Sequence, residues 1–108
     1  MSFPKPITIR NRTLLDTLKN QRCAACGQLP GNPYNPIDPS HIISRGAGGP
    51  DSAWNCVSHC RRCHDVWEVN WTGFLARFPA FKQKLIAMGW EILDSVGKPR
   101  LWHPNLRH

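Results

Sequence analysis

The stretch SHIISRGAGGPDSAWNCVSHCRRCHD, residues 40–65, decides how this chain folds. Its β-branched opening, Ser40 to Ser44, reads as a strand. Arg45 to Asp51 is a glycine-rich turn, and Ala53 to Ser58 reads as a second strand, so the segment predicts a β-hairpin with a long irregular loop. No helix breaker lies between Cys60 and Asn70, which predicts a helix directly after the hairpin. The helix opens on Cys60-Arg61-Arg62-Cys63, and a matching pair, Cys23-Ala24-Ala25-Cys26, lies upstream. Two residues between cysteines let both sulfurs turn toward one point, about 2.3 Å from a tetrahedral zinc. The pairs predict a closed structural zinc site of Cys23, Cys26, Cys60 and Cys63, whose binding free energy is folding free energy. Such a site has no open coordination position, so it is a scaffold. Cys56 is left over and is predicted to be a buried strand thiol.

Working outward, residues 1–12 read as an N-terminal arm and residues 13–108 as one domain, with its motif core at 23–70. Thr13 to Lys19 predicts a short helix with Leu14, Leu15 and Leu18 on one face. Gly27 to Pro39 carries four prolines and two glycines, a density that predicts a loop. Beyond the motif, Thr72 is a candidate N-cap for a short turn ending before Pro79. Pro79 suits the first turn of a further helix with Phe81, Leu85 and Met88 as its apolar stripe and Gly89 just past its end. Trp67, Trp71, Phe74 and Phe78 are expected in the core. Trp90–Leu93 and Arg100–Trp102, flanking Val96-Gly97, predict a C-terminal hairpin. The fold class is α+β: a small zinc-stapled hairpin-plus-helix finger with extra short helices.

The 108 residues carry 14 Lys+Arg against 7 Asp+Glu, a net charge of +7, which favours nucleic acid or another polyanion as partner. No apolar run approaches the roughly 18 residues of a membrane span. The N-terminal residues lack the apolar stretch of a signal peptide, so the expectation is a cytoplasmic protein without a membrane partner. In that reducing setting five cysteines point to metal before disulfides.

A second constellation surrounds the knuckles. His41 stands on the first strand after Ser40, Asn55 follows the glycine-rich turn, and His64 follows Cys63. Glu68 lies four residues further on, so on a helix His64 and Glu68 face the same way and can share one cation. With its two knuckles, strand histidine, glycine-rich turn, asparagine and Cys-His pair, the string resembles the HNH (ββα-metal, or His-Me finger) endonucleases, especially small phage and prophage forms.

The resemblance implies a DNA phosphodiesterase with one catalytic cation, Mg²⁺ or Mn²⁺, a position that Ni²⁺ or Zn²⁺ can also occupy. It implies His41 as the general base and Asn55 as the brace that orients it through backbone contacts. His64 takes the place of a helix ligand of the catalytic metal, and Glu68 that of the second, often a histidine. Ser40 stands where many members have an aspartate or histidine ligand. A neutral hydroxyl suits a hard cation poorly, leaving Asp38 or water to fill the gap. Arg45, Arg61 and Arg62 are the expected phosphate contacts. The rival expectation is a nucleic-acid-binding or accessory module of a phage packaging or recombination machine, on the same zinc-held fold but with a weakened site.

Overall fold

The computed structural model describes residues 10–95 and 97–106. The expected N-terminal arm therefore lies outside the described residues up to position 9, as does Val96 of the C-terminal turn. In chain order the elements are α1 (Arg12–Lys19), β1 (Ile37–His41), a 3₁₀ turn (Arg45–Ala47), β2 (Cys56–Cys60), α2 (Arg61–Val69), α3 (Trp71–Arg77), α4 (Pro79–Ala87), β3 (Glu91–Ser95) and β4 (Lys98–Trp102). The fold is α+β, with two antiparallel hairpins, β1–β2 and β3–β4. The contacts gather into two compact units, Met1–His64 and Asp65–His108.

In the first unit, β1 pairs with β2 from Ile37↔Cys60 to His41↔Cys56. The first strand thus begins three residues before the expected Ser40 and includes Pro39. Pro39 pairs with Ser58, while the bonds from the Ile42 N–H to the Asn55 carbonyl and from the Arg61 N–H to the Pro36 carbonyl mark the ladder's phase. That phase puts the missing N–H of Pro39 on the outer edge of the strand, where proline is tolerated. The strand also stops early, at His41. The Asn55 side chain replaces a neighbouring strand there: its Oδ1 accepts from the Ile43 N–H at 2.9 Å and its Nδ2 donates to the Ile43 carbonyl at 3.0 Å. The second strand is correspondingly shifted from the expected 53–58 to Cys56–Cys60.

The proline-rich loop before β1 is ordered by its amides. Asn35 and Gln28 exchange a 2.6 Å side-chain bond, and Asn35 Oδ1 accepts from the Arg62 N–H, one of the orphan donors at the start of α2. The start of α1 is capped by Asn11, whose Oδ1 accepts from the Leu14 N–H.

In the second unit Trp67, Phe74, Phe81 and Trp90 are buried as an aromatic core, whereas Trp71 and Phe78, expected there too, are only half-buried at its margin. Trp67 meets Phe74 and Phe81 edge to face with centroids 5.8 and 5.7 Å apart, an arrangement that adds to their area burial. The N-cap of α3 is Asn70, in place of the expected Thr72: its Oδ1 accepts from the Gly73 N–H and from the Thr72 hydroxyl. Pro79 opens α4 as expected, and Phe81 and Leu85 are fully buried. Met88 is the C-cap, followed by Gly89 with φ +100°. The Trp90 N–H reaches the Leu85 carbonyl and the Gly89 N–H the Ile86 carbonyl, the paired bonds of a Schellman ending. His103 donates from Nε2 to the Met88 carbonyl and packs on Trp90, and a Cβ at Gly89 would come 2.8 Å from that nitrogen. Among the described residues no helix is long and apolar enough to cross a membrane.

Phe81→Ala removes a side chain with no exposed surface from the centre of this aromatic group. Urea unfolding should show a loss of about 3–5 kcal/mol.

Candidate functional site

Local hydrogen bonds shape the first cysteine knuckle before any metal is considered. The Cys23 N–H bonds the Gln28 carbonyl, the Gly27 N–H bonds the Cys23 carbonyl, and the Cys26 N–H points at the Cys23 sulfur. The Ala24 N–H then donates to the Ser58 carbonyl and the Ser58 hydroxyl to the Arg22 carbonyl, at 2.7 and 2.6 Å, fastening the knuckle to β2. Cys60 ends β2 and Cys63 lies in the first turn of α2, so strand and helix deliver the other two sulfurs.

All four sulfur ligand atoms lie within 4.8 Å of one another, and the Cys26 and Cys60 sulfurs are 3.8 Å apart. A tetrahedron with bonds of about 2.3 Å has edges of about 3.8 Å, so the cluster has the dimensions of a zinc site. Its electrostatics ask for a cation. Burial raises the Cys23 thiol, but the N–H groups of Cys26, Cys60 and Ala25 outweigh this and bring it down to about 7. Cys26 is pushed up by loss of solvent and by the Cys23 sulfur, and Cys63 is pushed far up by burial and by the Cys60 and Cys23 sulfurs. Four neighbouring thiols cannot all ionise against one another; a divalent cation at their centre removes the conflict. The fifth cysteine, Cys56, is buried on β2 as expected, with its thiol raised to about 11 by burial.

The histidine site is organised by a residue absent from the sequence-based expectations. His41, with 12% of its side chain exposed, lies 2.7 Å through Nε2 from Asp51 Oδ1. A carboxylate only accepts, so Nε2 carries a proton, and in the neutral ring that tautomer leaves the lone pair on Nδ1. Among the described residues Nδ1 has no hydrogen-bond partner. Asp51 itself is 1% exposed and binds three chain segments at once. It accepts from the Asn11 N–H at 3.0 Å and from Arg45 Nη2 at 3.2 Å, in addition to His41. Burial alone would raise its carboxyl; the bonds from His41, the Asn11 N–H and Arg45 more than reverse this and hold it well below the usual carboxylate range. An acidic residue where the glycine-rich turn returns to the hairpin was the available signal.

Asn55 is fully buried and braces the same turn, donating to the Pro50 and Ile43 carbonyls at 3.0 Å each. The turn has no room for slack: a Cβ on Gly49 would collide with the Ile43 carbonyl and lie 2.9 Å from Asn55 Nδ2.

Of the expected catalytic-metal residues, Asp38 and His64 are brought near each other, with His64 Nδ1 3.7 Å from Asp38 Oδ2. Asp38 is also gripped by the Arg61 guanidinium at 3.1 and 3.2 Å. Ser40 is fully buried, and among the described residues its hydroxyl has no hydrogen-bond partner. Glu68 is exposed on α2, one turn beyond His64, in the stretch that belongs to the second unit. Among the described residues the four cysteines are the sole group of three or more His, Cys, Asp or Glu side chains with metal-holding dimensions. Of the expected phosphate contacts, Arg45 is half-exposed beside Asp51, Arg61 is engaged with Asp38, and Arg62 is exposed at the start of α2.

Two outcomes follow. Protein purified without chelator should contain one zinc per chain by elemental analysis, and Cys23→Ser or Cys60→Ser should unfold it. Asp51→Asn should destabilise the fold by about 1.5–3 kcal/mol near neutral pH, the range for hydrogen bonds to a charged group. Because folding lowers the Asp51 pKa, this contribution is present above the ordinary carboxylate value of about 3.9 and fades as pH falls through the folded value. Denaturant melts of parent and variant should therefore converge in acid.

Comparison of the chain with protein-family models, with curated proteins and with solved structures returns no match.

Proposed function

We propose that this chain is a zinc-stapled endonuclease of the HNH (ββα-metal) type, hydrolysing DNA phosphodiester bonds in the cytoplasm of a bacterial or phage-infected cell. The observation that supports it best is the His41–Asp51 pair: a strand imidazole held through Nε2 at 2.7 Å by a buried carboxylate, with Nδ1 as its other ring nitrogen. Such an arrangement serves proton abstraction near neutral pH.

In this reading Nδ1 of His41 takes a proton from the attacking water, and the resulting imidazolium is stabilised by Asp51. Asn55 keeps the turn, and with it Asp51, at a fixed distance from the strand. Asp38 and His64 offer one carboxylate oxygen and one imidazole nitrogen, a mixed set that suits Mg²⁺ or Mn²⁺ and tolerates Ni²⁺ or Zn²⁺. The cation's contribution is to neutralise charge on the phosphate and the departing oxygen.

A second reading, a nucleic-acid-binding or accessory module of phage packaging or recombination, is favoured by the donor set. Ser40, which stands at a ligand position of the family pattern, is buried, and Asp38, the residue left to fill its place, is already paired with Arg61, so that position is weak here.

A plasmid-nicking assay, with metals added singly, separates the two. His41→Ala should slow cleavage by a factor of roughly 10² to 10⁴ with metal binding retained. His64→Ala should lose activity that raised metal concentration partly restores. Equal cleavage by the His41→Ala protein and the parent would remove the nuclease assignment.

A further inference from the structure

Between α1 and the glycine-rich turn lies a cleft of 380 Å³ whose charged walls are Arg10, Arg12, Asp16, Lys19, Arg45 and Asp51, with Pro39 of β1 also lining it. Four cations thus face two carboxylates, a net excess of two positive charges. Asp16 is paired with Lys19 at 3.7 Å. Asp51 is 1% exposed and spends its oxygens on His41 and the Asn11 N–H as well as on the arginines. Arg45 bonds Asp51 at 3.2 Å and Arg10 lies 3.9 Å from it, yet they remain 50% and 49% exposed, so each guanidinium has donors left over. Among the described residues Arg12 makes no ion pair.

We propose that this cleft takes the sugar-phosphate backbone of a nucleic-acid strand, with Arg10, Arg12, Lys19 and Arg45 as its phosphate contacts. This places the main electrostatic contact on α1 and the glycine-rich turn instead of on Arg61 and Arg62. It rests on the nuclease reading for the identity of the polyanion. Arg12 and Lys19 stand at the two ends of α1, about 10 Å apart along its axis. A strand in a duplex presents a charge about every 3.4 Å of duplex axis, and its backbone winds round that axis, so about two neighbouring phosphates fit that span. Forked guanidinium groups match phosphate oxygens in pairs. A shared anchor favours a phosphodiester over an acidic peptide: the Asp51 carboxylate that pairs with Arg10 and Arg45 in the cleft also holds the Nε2 side of His41. A strand lying on those arginines runs near the carboxylate that holds the His41 ring.

The test is fluorescence anisotropy of the zinc-loaded full chain with a short labelled DNA duplex, without added Mg²⁺ or Mn²⁺, across about 0.05–0.2 M salt. The double variant R12Q/K19Q removes two rim charges and leaves His41, Asp51 and the sulfurs untouched. It should weaken binding by about tenfold or more and make the slope of log K against log salt shallower by about two, near 0.9 per phosphate contact. R61Q/R62Q should change the slope less. Equal affinity and slope for R12Q/K19Q and the parent would overturn the assignment, as would parent binding to polyglutamate of matched charge as tight as to the duplex. Protection of Lys19 from acetylation by bound duplex gives a reading on the unsubstituted chain, and absence of protection counts against the cleft. Tight cleft-dependent binding without cleavage when Mg²⁺ or Mn²⁺ is supplied would remove the nuclease reading and leave this one. Cleavage with unaltered R12Q/K19Q binding would do the reverse.

Discussion

Four sulfurs must meet at one point, and the first unit is arranged around that demand. Cys26 and Cys60 are 34 positions apart in sequence yet 3.8 Å apart in space. The intervening chain is therefore a closed loop whose ends cannot drift. Closing it is unfavourable for the chain, and ligand bonds are the strong local interaction available to offset that in a unit with so little apolar core. Since Cys60 ends a strand and Cys63 begins a helix, the same closure sets where β2 stops and α2 starts. Asp38 and His64 come near each other on the two sides of that junction.

The glycine-rich turn faces a different problem: it has few side chains with which to hold itself. A buried carboxylate solves it. Asp51 gathers the helix cap, the strand histidine and an arginine from its own turn, while Asn55 ties off the carbonyls on the other side. A lone carboxylate out of water would be strongly unfavourable; this one has its hydrogen bonds filled by charged or strongly polar donors. Rigidity of the turn and orientation of the imidazole thus have one cause.

The parts of the fold legible in sequence were those whose signal is local. Cysteine spacing is read without context, and so are the proline opening and glycine ending of α4 or the aromatic stripe behind Trp67. Strand limits were harder, because a side-chain amide from Asn55 takes over the bonding of Ile43 and ends the ladder early. Pro39 also argued for a loop until its pairing placed the missing N–H outside the ladder. The role of Asp51 was harder to read for a deeper reason. What makes it a buried anion is the convergence of Arg10, Asn11, His41 and Arg45, residues that adjoin only after folding. The same holds for Ser40, whose neighbour His41 suggested a site position although its hydroxyl lies fully inside.

Small two-stranded sheets carry a hazard, since each outer edge is a row of backbone groups that can recruit a strand from another molecule. Here both edges are spoken for. On β2 the outward carbonyl of Ser58 is taken by the Ala24 N–H of the knuckle. On β1 the central outward position is Pro39, which has no hydrogen to offer an incoming chain. A residue that looks like an interruption of the strand therefore protects the hairpin from edge-to-edge polymerisation while leaving its inner pairing intact.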